Sequence, residues 1–386
     1  MRECIGYIND FVKCHFVHLL TCTVCIGALW PQASLGVKDL VFFQLPGTTW
    51  PFDLPTFALC CMMFSASTHC RLHDFVRLAK TPRPFLVGVG LVYLLLPGIG
   101  WAGASIGAAL LGSTVGSQIG AGLVLVVLMP VAMTSNLWVK VVEGNLTLLV
   151  SLITCTTALG IVVTPLALSL ILGLAQNDLQ VPTGLLMKQL LLAVMVPMLV
   201  GMLLRAWSAA WVQRWQGVFT LAGSVGLHLA VFANVGVALP VLKNLDLRAM
   251  LSVVGLTIAL NLLNYGIAYL LSQWTHLSYE DRATICLAGG MRSNGTALVV
   301  GLKSFPLAPF VTVPAAIYII VQHLVAGQLV KVLHKERAAL ADTGHPLGAR
   351  EYGPGPQPPH LPVWQRGRAW RAARRVYAHD TAEGKR

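Results

Sequence analysis

The chain has 386 residues, of which 56% are hydrophobic and only 11% charged, and its mean hydropathy is +0.71. Globular domains carry about 25% charged residues, and a soluble fold needs polar helix faces that these segments lack, so soluble classes are excluded. The formal charge of +12 would suit a nucleic-acid binder, yet eleven of the 27 Lys and Arg residues follow Val330 and most others occupy short loops between apolar runs. That distribution is the positive-inside pattern of a membrane protein, and nucleic acid is not an expected partner.

Residues 1–10 form a short N-terminal segment, followed by a first apolar span over 11–30. A signal peptide fits the charged start equally, but Trp30-Pro31-Gln32-Ala33-Ser34 is a poor cleavage site. Residues 31–53 read as a loop, and 54–68 as a second span. Arg71, Arg77, Lys80 and Arg83 then mark a cytoplasmic loop. A third span covers 85–101, and the uncharged Gly/Ala/Ser-rich stretch 102–115 reads as an outer loop. A fourth span starts at Gly116, breaks at Pro130 and resumes over 132–142. The fifth covers 146–174, with Pro165 able to kink it.

After a turn at Asn177-Asp178 the pattern repeats: spans over 185–204, 218–241, 251–271, 283–301 and 310–332. Nine cysteines include Cys22 and Cys25 and the pair Cys60-Cys61, but no matching ligand set follows them. They read as small packing residues rather than as a metal site.

The loop charges assign both termini to the cytoplasm, which requires an even number of spans; ten fit. Five spans per half then force the second half to be inverted. The predicted fold is an all-α polytopic membrane protein of two inverted five-helix repeats, 11–174 and 184–335, followed by a disordered basic cytoplasmic tail over 336–386. That tail carries Trp364, Trp370 and several arginines, and anionic lipid headgroups are its expected partner.

Helices four and nine become counterparts in this scheme, and they carry related breaks: Met133-Thr134-Ser135-Asn136 and Met291-Arg292-Ser293-Asn294. Interrupted helices at matching positions of two halves point to a transporter binding site at the membrane midplane. Their freed backbone groups are tolerable only where they line a cavity or meet a partner. Thr134, Ser135, Asn136, Ser293 and Asn294 offer neutral hydrogen-bonding groups. Arg292 adds a permanent charge that costs about 2.5 kcal/mol or more at a helix centre, a default sign of function. No carboxylate lies at the centre of any span. Donors and positive charge without a fixed anion suit a small organic anion, a carboxylate or sulfonate. The bland reading locks Arg292 to backbone carbonyls of the broken helices.

Asn264 and His323 complete the candidate set, His323 as the titrating group should protons be coupled. Lys188 reads as a snorkelling residue, and His228, Asn234 and Asn261 as interhelical hydrogen-bond partners. Gln322 sits beside His323 near the middle of the last span.

These residues resemble the bile acid:sodium symporter family over about residues 10–335. The family's fourth helix carries a Pro, small residues, Ser-Asn and then Gly-Asn, matched here by Pro130, Ser135-Asn136 and Gly144-Asn145. Its ninth helix carries Glu-x-Gly-Met-Gln-Asn, and Ala288-Gly289-Gly290-Met291-Arg292-Ser293 stands in register. The resemblance implies a core domain with helices four and nine crossed, a panel domain of helices one, two, six and seven, and alternating access for organic anions, usually driven by sodium. The departures fall on the sodium ligands: Ala288 replaces the glutamate, Arg292 the glutamine, and Val92, Leu149 and Ile153 replace other polar positions. Only Ser135 and Asn136 remain as residual sodium-site positions.

Sodium coupling is therefore doubtful, and no cofactor is expected. Two further readings stand beside an organic-anion carrier. One is a ligand sensor or scaffold acting through the tail; the other, more distant, is an arsenite-type efflux carrier, which would need a cysteine at the break where Met129-Pro130-Val131-Ala132 stands. No carboxylate pair, nucleophile–base spacing or nucleotide loop suggests an enzyme. The expected location is the cell membrane.

Overall fold

The computed structural model describes residues 11–12, 15–44, 51–69, 82–175, 179–243 and 245–342. The N-terminal segment 1–10, the loop arginines Arg71 and Arg77 with Lys80, the Asn177-Asp178 turn and tail residues 343–386 lie outside them.

Helices α1 (Phe16–Leu29) and α2 (Pro31–Lys38) meet at a bend of 102°. The first span is thus not followed by a loop. Proline lacks only an N–H that a first helical turn leaves unbonded anyway, so Pro31 starts a new helix instead of ending order. A two-stranded ribbon follows, β1 (Val41–Gln44) antiparallel to β2 (Pro51–Asp53), with Phe43 opposite Phe52. Asp53 then caps α3 (Leu54–Ser67), its carboxylate accepting the Thr56 N–H at 3.1 Å.

The predicted loop over 102–115 is also helical. Helix α4 runs Pro82–Leu111 and α5 runs Ser113–Leu128, joined by a turn at Gly112. Small residues read as loop composition, but here they let two backbones touch. A Cβ on Gly116 would lie 2.6 Å from the Gly107 carbonyl oxygen and 2.7 Å from the Ala108 Cα. Membrane helices use small residues this way because lipid supplies no hydrophobic drive between them. A π-helical turn, Leu91–Leu95, precedes Pro97 and another, Leu190–Met195, precedes Pro197; the wider turn absorbs the missing proline N–H.

Beyond a break, the chain continues as α6 (Ser135–Val141), α7 (Leu146–Leu174), α8 (Thr183–Trp207), α9 (Ala209–Leu242) and α10 (Leu247–Trp274). Then come α11 (Tyr279–Gly290), a second break, α12 (Asn294–Ser304), a 3₁₀ turn (Pro309–Thr312) and α13 (Val313–Asp342). Among the described residues six helices are long and apolar enough to cross a membrane, or seven if the bent α1–α2 pair is one span. The architecture is that of an all-helical polytopic membrane protein. Large apolar side chains cover its outside, Leu94 and Leu170 among them, and the exposed Trp207 and Trp274 end α8 and α10, as tryptophans do at membrane interfaces.

The helices pack in two groups. Helix α9 lies on α1, α2 and α3, with α8 beside α3; α4, α5, α7, α10, α11 and α13 pack on one another. Helix α13 continues past the predicted end at 332 and past the predicted tail boundary at 336, because its last turns are held. Glu336 pairs with Arg282 at 3.1 Å and accepts the Tyr269 hydroxyl, and Arg337 pairs with Glu143 at 2.6 Å. The Arg337 hydrogen bond holds the Glu143 carboxyl below the usual range. At the same end Asn145 caps α7 through Leu148 N–H (3.0 Å) and donates to Asp281 of α11 at 2.8 Å.

Gly116→Val should lower the thermal midpoint in detergent by the equivalent of about 1–3 kcal/mol, the usual range for overpacking. Gly98→Ala, which meets nothing within 4 Å, should leave it unchanged. Equal midpoints for both variants would show that the α4–α5 contact is not tight.

Candidate solute-binding site

The two breaks meet. Residues 129–134 and 291–293 leave helical geometry and pair like a fragment of antiparallel sheet, Val131 opposite Arg292. Ala132 N–H donates to the Met291 carbonyl at 3.1 Å, and Ser293 N–H to the Pro130 carbonyl at 2.9 Å. Each break frees backbone groups that buried, water-poor surroundings make costly, and their partners can be followed one by one. The Leu128 carbonyl accepts Thr164 Oγ1 at 2.9 Å, and Val131 N–H donates to Thr156 Oγ1 at 3.2 Å. Tyr318 donates to the Gly290 carbonyl at 2.9 Å, with Asn261 Nδ2 on the same oxygen at 3.5 Å. Arg292 N–H donates to Gln322 Oε1 at 3.0 Å, and Asn294 Nδ2 does the same at 3.0 Å.

Arg292 closes the account. Its side chain is fully buried, and the guanidinium donates to the Gly289 carbonyl at 2.9 Å and, more weakly, to the Met129 carbonyl at 3.5 Å. One planar fork therefore ties the last carbonyls of both broken helices, a geometry a lysine ammonium does not reproduce. No carboxylate pairs with it among the described residues. Its neighbours are the phenols of Tyr93, Tyr265 and Tyr318. Gly290 permits the arrangement: a Cβ there would fall 2.3 Å from the Tyr265 ring.

Beside the crossing lies a cavity of about 370 Å³. Thr134, Asn136, Arg292, Ser293, Asn294 and His323 all belong to its wall. The first turn of α12, Gly295 and Thr296, belongs to it too and presents a positive helix end. Asn136 Oδ1 and Asn294 Oδ1 are buried without a hydrogen-bond partner. The remaining two predicted site residues lie off the wall. Ser135 is buried and returns its hydroxyl to the Ala132 carbonyl. Asn264 donates to Tyr318 Oη at 2.9 Å, one step behind the Gly290 carbonyl. Trp138 Nε1 donates to His323 Nδ1 at 3.0 Å, so that nitrogen carries a lone pair and the ring is held as the neutral Nε2–H tautomer. Among the described residues no Asp, Glu or Cys borders the cavity.

Sequence reasoning missed much of the wall. Met62 and Ser65 from α3, His69 from the turn after it, Thr154 and Thr157 from α7, and Thr220 and Ser224 from α9 all contribute. Their signal was faint, since a hydroxyl in an apolar helix usually bonds its own backbone: Ser224 does so with Thr220 and Thr154 with Val150. Gln322 was noticed but not placed in the site, although it anchors both Arg292 and Asn294.

Residues 56–245 match the Sodium Bile acid symporter family. The match spans 190 of the 386 residues, so the chain is similar to that family over nearly half of its length. Similar proteins include the Bacillus subtilis "Uncharacterized sodium-dependent transporter YocS", 26% identical over 77% of this chain and 89% of its own length. The B. subtilis protein YbaS is 28% identical over 80% of this chain and 94% of its own. The rice "Probable sodium/metabolite cotransporter BASS2, chloroplastic" is 27% identical over 76% of this chain and 67% of its own. The family match, the relatives and the long apolar helices together are those of a multi-pass membrane transport protein and not of an enzyme.

Gln322→Leu should destabilise the purified protein by about 1–3 kcal/mol for the Arg292 N–H that it leaves unpaired, with a smaller loss at Asn294 Nδ2, which keeps its bond to the Arg292 carbonyl at 3.2 Å. Thermal unfolding in detergent reads this; a midpoint matching the parent protein would mean that Gln322 does not hold the crossing.

Proposed function

We propose that this protein carries small organic anions, carboxylates or sulfonates, across the cell membrane by alternating access, with Arg292 supplying the positive charge that a sodium ion would otherwise bring. The observation that carries the proposal is the Arg292 guanidinium, fully buried between carbonyls of both broken helices beside a cavity whose wall, among the described residues, holds no carboxylate. A cation bound there would face an uncompensated guanidinium, whereas an anion would be attracted through a low-dielectric medium without needing to touch it. Direct contacts would come from Thr134, Asn136, Ser293 and Asn294, from the N-terminal turn of α12, and from His323 as a neutral Nε2–H donor.

In this reading the chain has ten spans. The first repeat comprises α1–α2, α3, α4, α5–α6 and α7; the inverted second comprises α8, α9, α10, α11–α12 and α13. The group α1–α3, α8 and α9 would move as a panel against the rest, leaving the crossing intact. The cavity runs to His69, Leu137 and Lys140, the last two exposed. The loop charges assign that end to the cytoplasm, which supports an inward-facing state with both termini inside.

The names of YocS and BASS2 describe those proteins as sodium-dependent transporters or cotransporters. This chain is proposed to depart from them in its coupling.

Counterflow of a radiolabelled organic anion in proteoliposomes should proceed at the same rate in sodium and in N-methylglucamine buffers. Arg292→Gln should reduce it at least tenfold, and Asn136→Ala should raise the half-saturating anion concentration. A strict sodium requirement of the parent protein would overturn the proposal.

A further inference from the structure

A second chamber, about 280 Å³, lies at the other end of α12. Its wall includes Lys38 at the end of α2, Gln189 of α8, and Leu302, Lys303 and Phe305 at the end of α12. From Asn294 to Lys303 a helix climbs about 14 Å, so this chamber is well separated from the first. The pairing that accounts for the crossing leaves it unexplained.

Three polar groups gather there. Lys303 is largely buried and ion-paired with Asp53, itself buried and capping α3. Lys38 is one-third exposed, and the carboxylate nearest it, Asp39 at 3.9 Å, points to solvent with most of its side chain exposed. Gln189 is 2% exposed; its Oε1 accepts the Ser304 hydroxyl at 2.8 Å, while its Nε2 is buried with no partner. A buried amide donor left unpaired costs roughly 1–3 kcal/mol, a cost a ligand acceptor would remove. The apolar part of the wall, Leu302, Phe305 and Pro306, suits the body of such a ligand.

We propose that this chamber is a second anion site, where a carboxylate with an apolar body binds Gln189 Nε2 and Lys38 and takes the place of Asp53 on Lys303. It deepens the carrier reading above and rests on it only for direction: loop charges put Lys38 and Lys303 outside, so the site would meet the anion first. The exchange swaps one carboxylate for another on Lys303; Asp53 keeps the Thr56 N–H and hydroxyl on its Oδ1, and Lys38 meets the negative charge that the ligand adds. It would also have a mechanical effect. Helices α3 and α12 border both chambers, α3 with Met62 and Ser65 at the inner one and with its cap Asp53 beside the outer one. Releasing Asp53 from Lys303 unties α3 from α12 at the outer end.

The test is a thermal-shift titration of the purified full chain with benzoate, using benzamide as the uncharged isostere. Benzoate should give a saturable upward shift that benzamide does not. Lys303→Met and Gln189→Leu should each raise the half-maximal benzoate concentration at least fivefold, whereas Gly98→Ala, which lines neither chamber, should keep the parent value. No benzoate-specific shift in the parent protein, or an unchanged titration in either outer variant, would overturn the proposal. Gln189→Leu removes no charge, so it decides the matter should Lys303→Met fail to fold. Failure of the carrier reading is seen separately, as absent counterflow in proteoliposomes.

Discussion

The core of this protein depends on a few residues of sheet-like pairing between two chains that are helical on either side. Two helices interrupted in an apolar interior each release N–H and C=O groups that neither water nor lipid can satisfy. Placed against each other at Val131 and Arg292, they satisfy part of that demand themselves. The surrounding helices then supply side chains for the remaining groups: Thr156 and Thr164 from α7, Gln322 from α13, and Tyr318 of α13 with Asn261 of α10 sharing the Gly290 carbonyl. Each helix of that group is fixed in rotation by the group it must serve, so the polar positions of the core set the helix packing as much as the apolar ones do.

Arg292 adds a different kind of constraint. A neutral amide at this place would also offer two coplanar donors, but the guanidinium joins the Gly289 and Met129 carbonyls and brings a permanent charge as well. The bland reading of the sequence, an arginine locked to carbonyls, and the functional one, a charge for an anion, turn out to be compatible. Five N–H groups leave the charge intact after two are engaged, and its field reaches the cavity through a medium that screens poorly. What the geometry removes is a flexible arginine that reaches out to grasp the solute.

Much of this was legible in the sequence, and the failures have common causes. The break positions could be read because proline and paired glycines sit beside Ser-Asn in otherwise apolar runs, and few other structures tolerate that composition. The helicity of 102–115 could not, since Gly107, Gly112 and Gly116 score as loop residues unless the partner helix is known to approach within contact distance. The 102° turn at Pro31 fails in the same way: a proline marks a boundary but does not say whether order resumes after it. In the site, the residues on the broken segments were found and those on the walls were not. Thr154, Thr157, Thr220 and Ser224 look like ordinary hydroxyls in apolar helices, and only the three-dimensional crossing turns them toward one space. Gln322 stood out as polar, but its role belongs to the backbone of another helix and has no local signature.

The position of the charges bears on how such a carrier could be driven. A sodium-coupled site is empty of positive charge until the ion arrives, so the ion's gradient enters the binding equilibrium. A guanidinium held by backbone carbonyls is present in every state, and the empty site then carries the charge that the loaded site neutralises. In the proposed reading, the loaded and unloaded forms would differ by the charge of the solute alone, so net transport would be driven by the electrochemical gradient of the anion, its concentration ratio together with the membrane potential acting on its charge. If the crossing stays fixed while the panel moves, as its dense hydrogen bonding favours, Arg292 itself would carry little charge across the membrane, and the proposed carrier would be suited to exchange or facilitated passage of the anion.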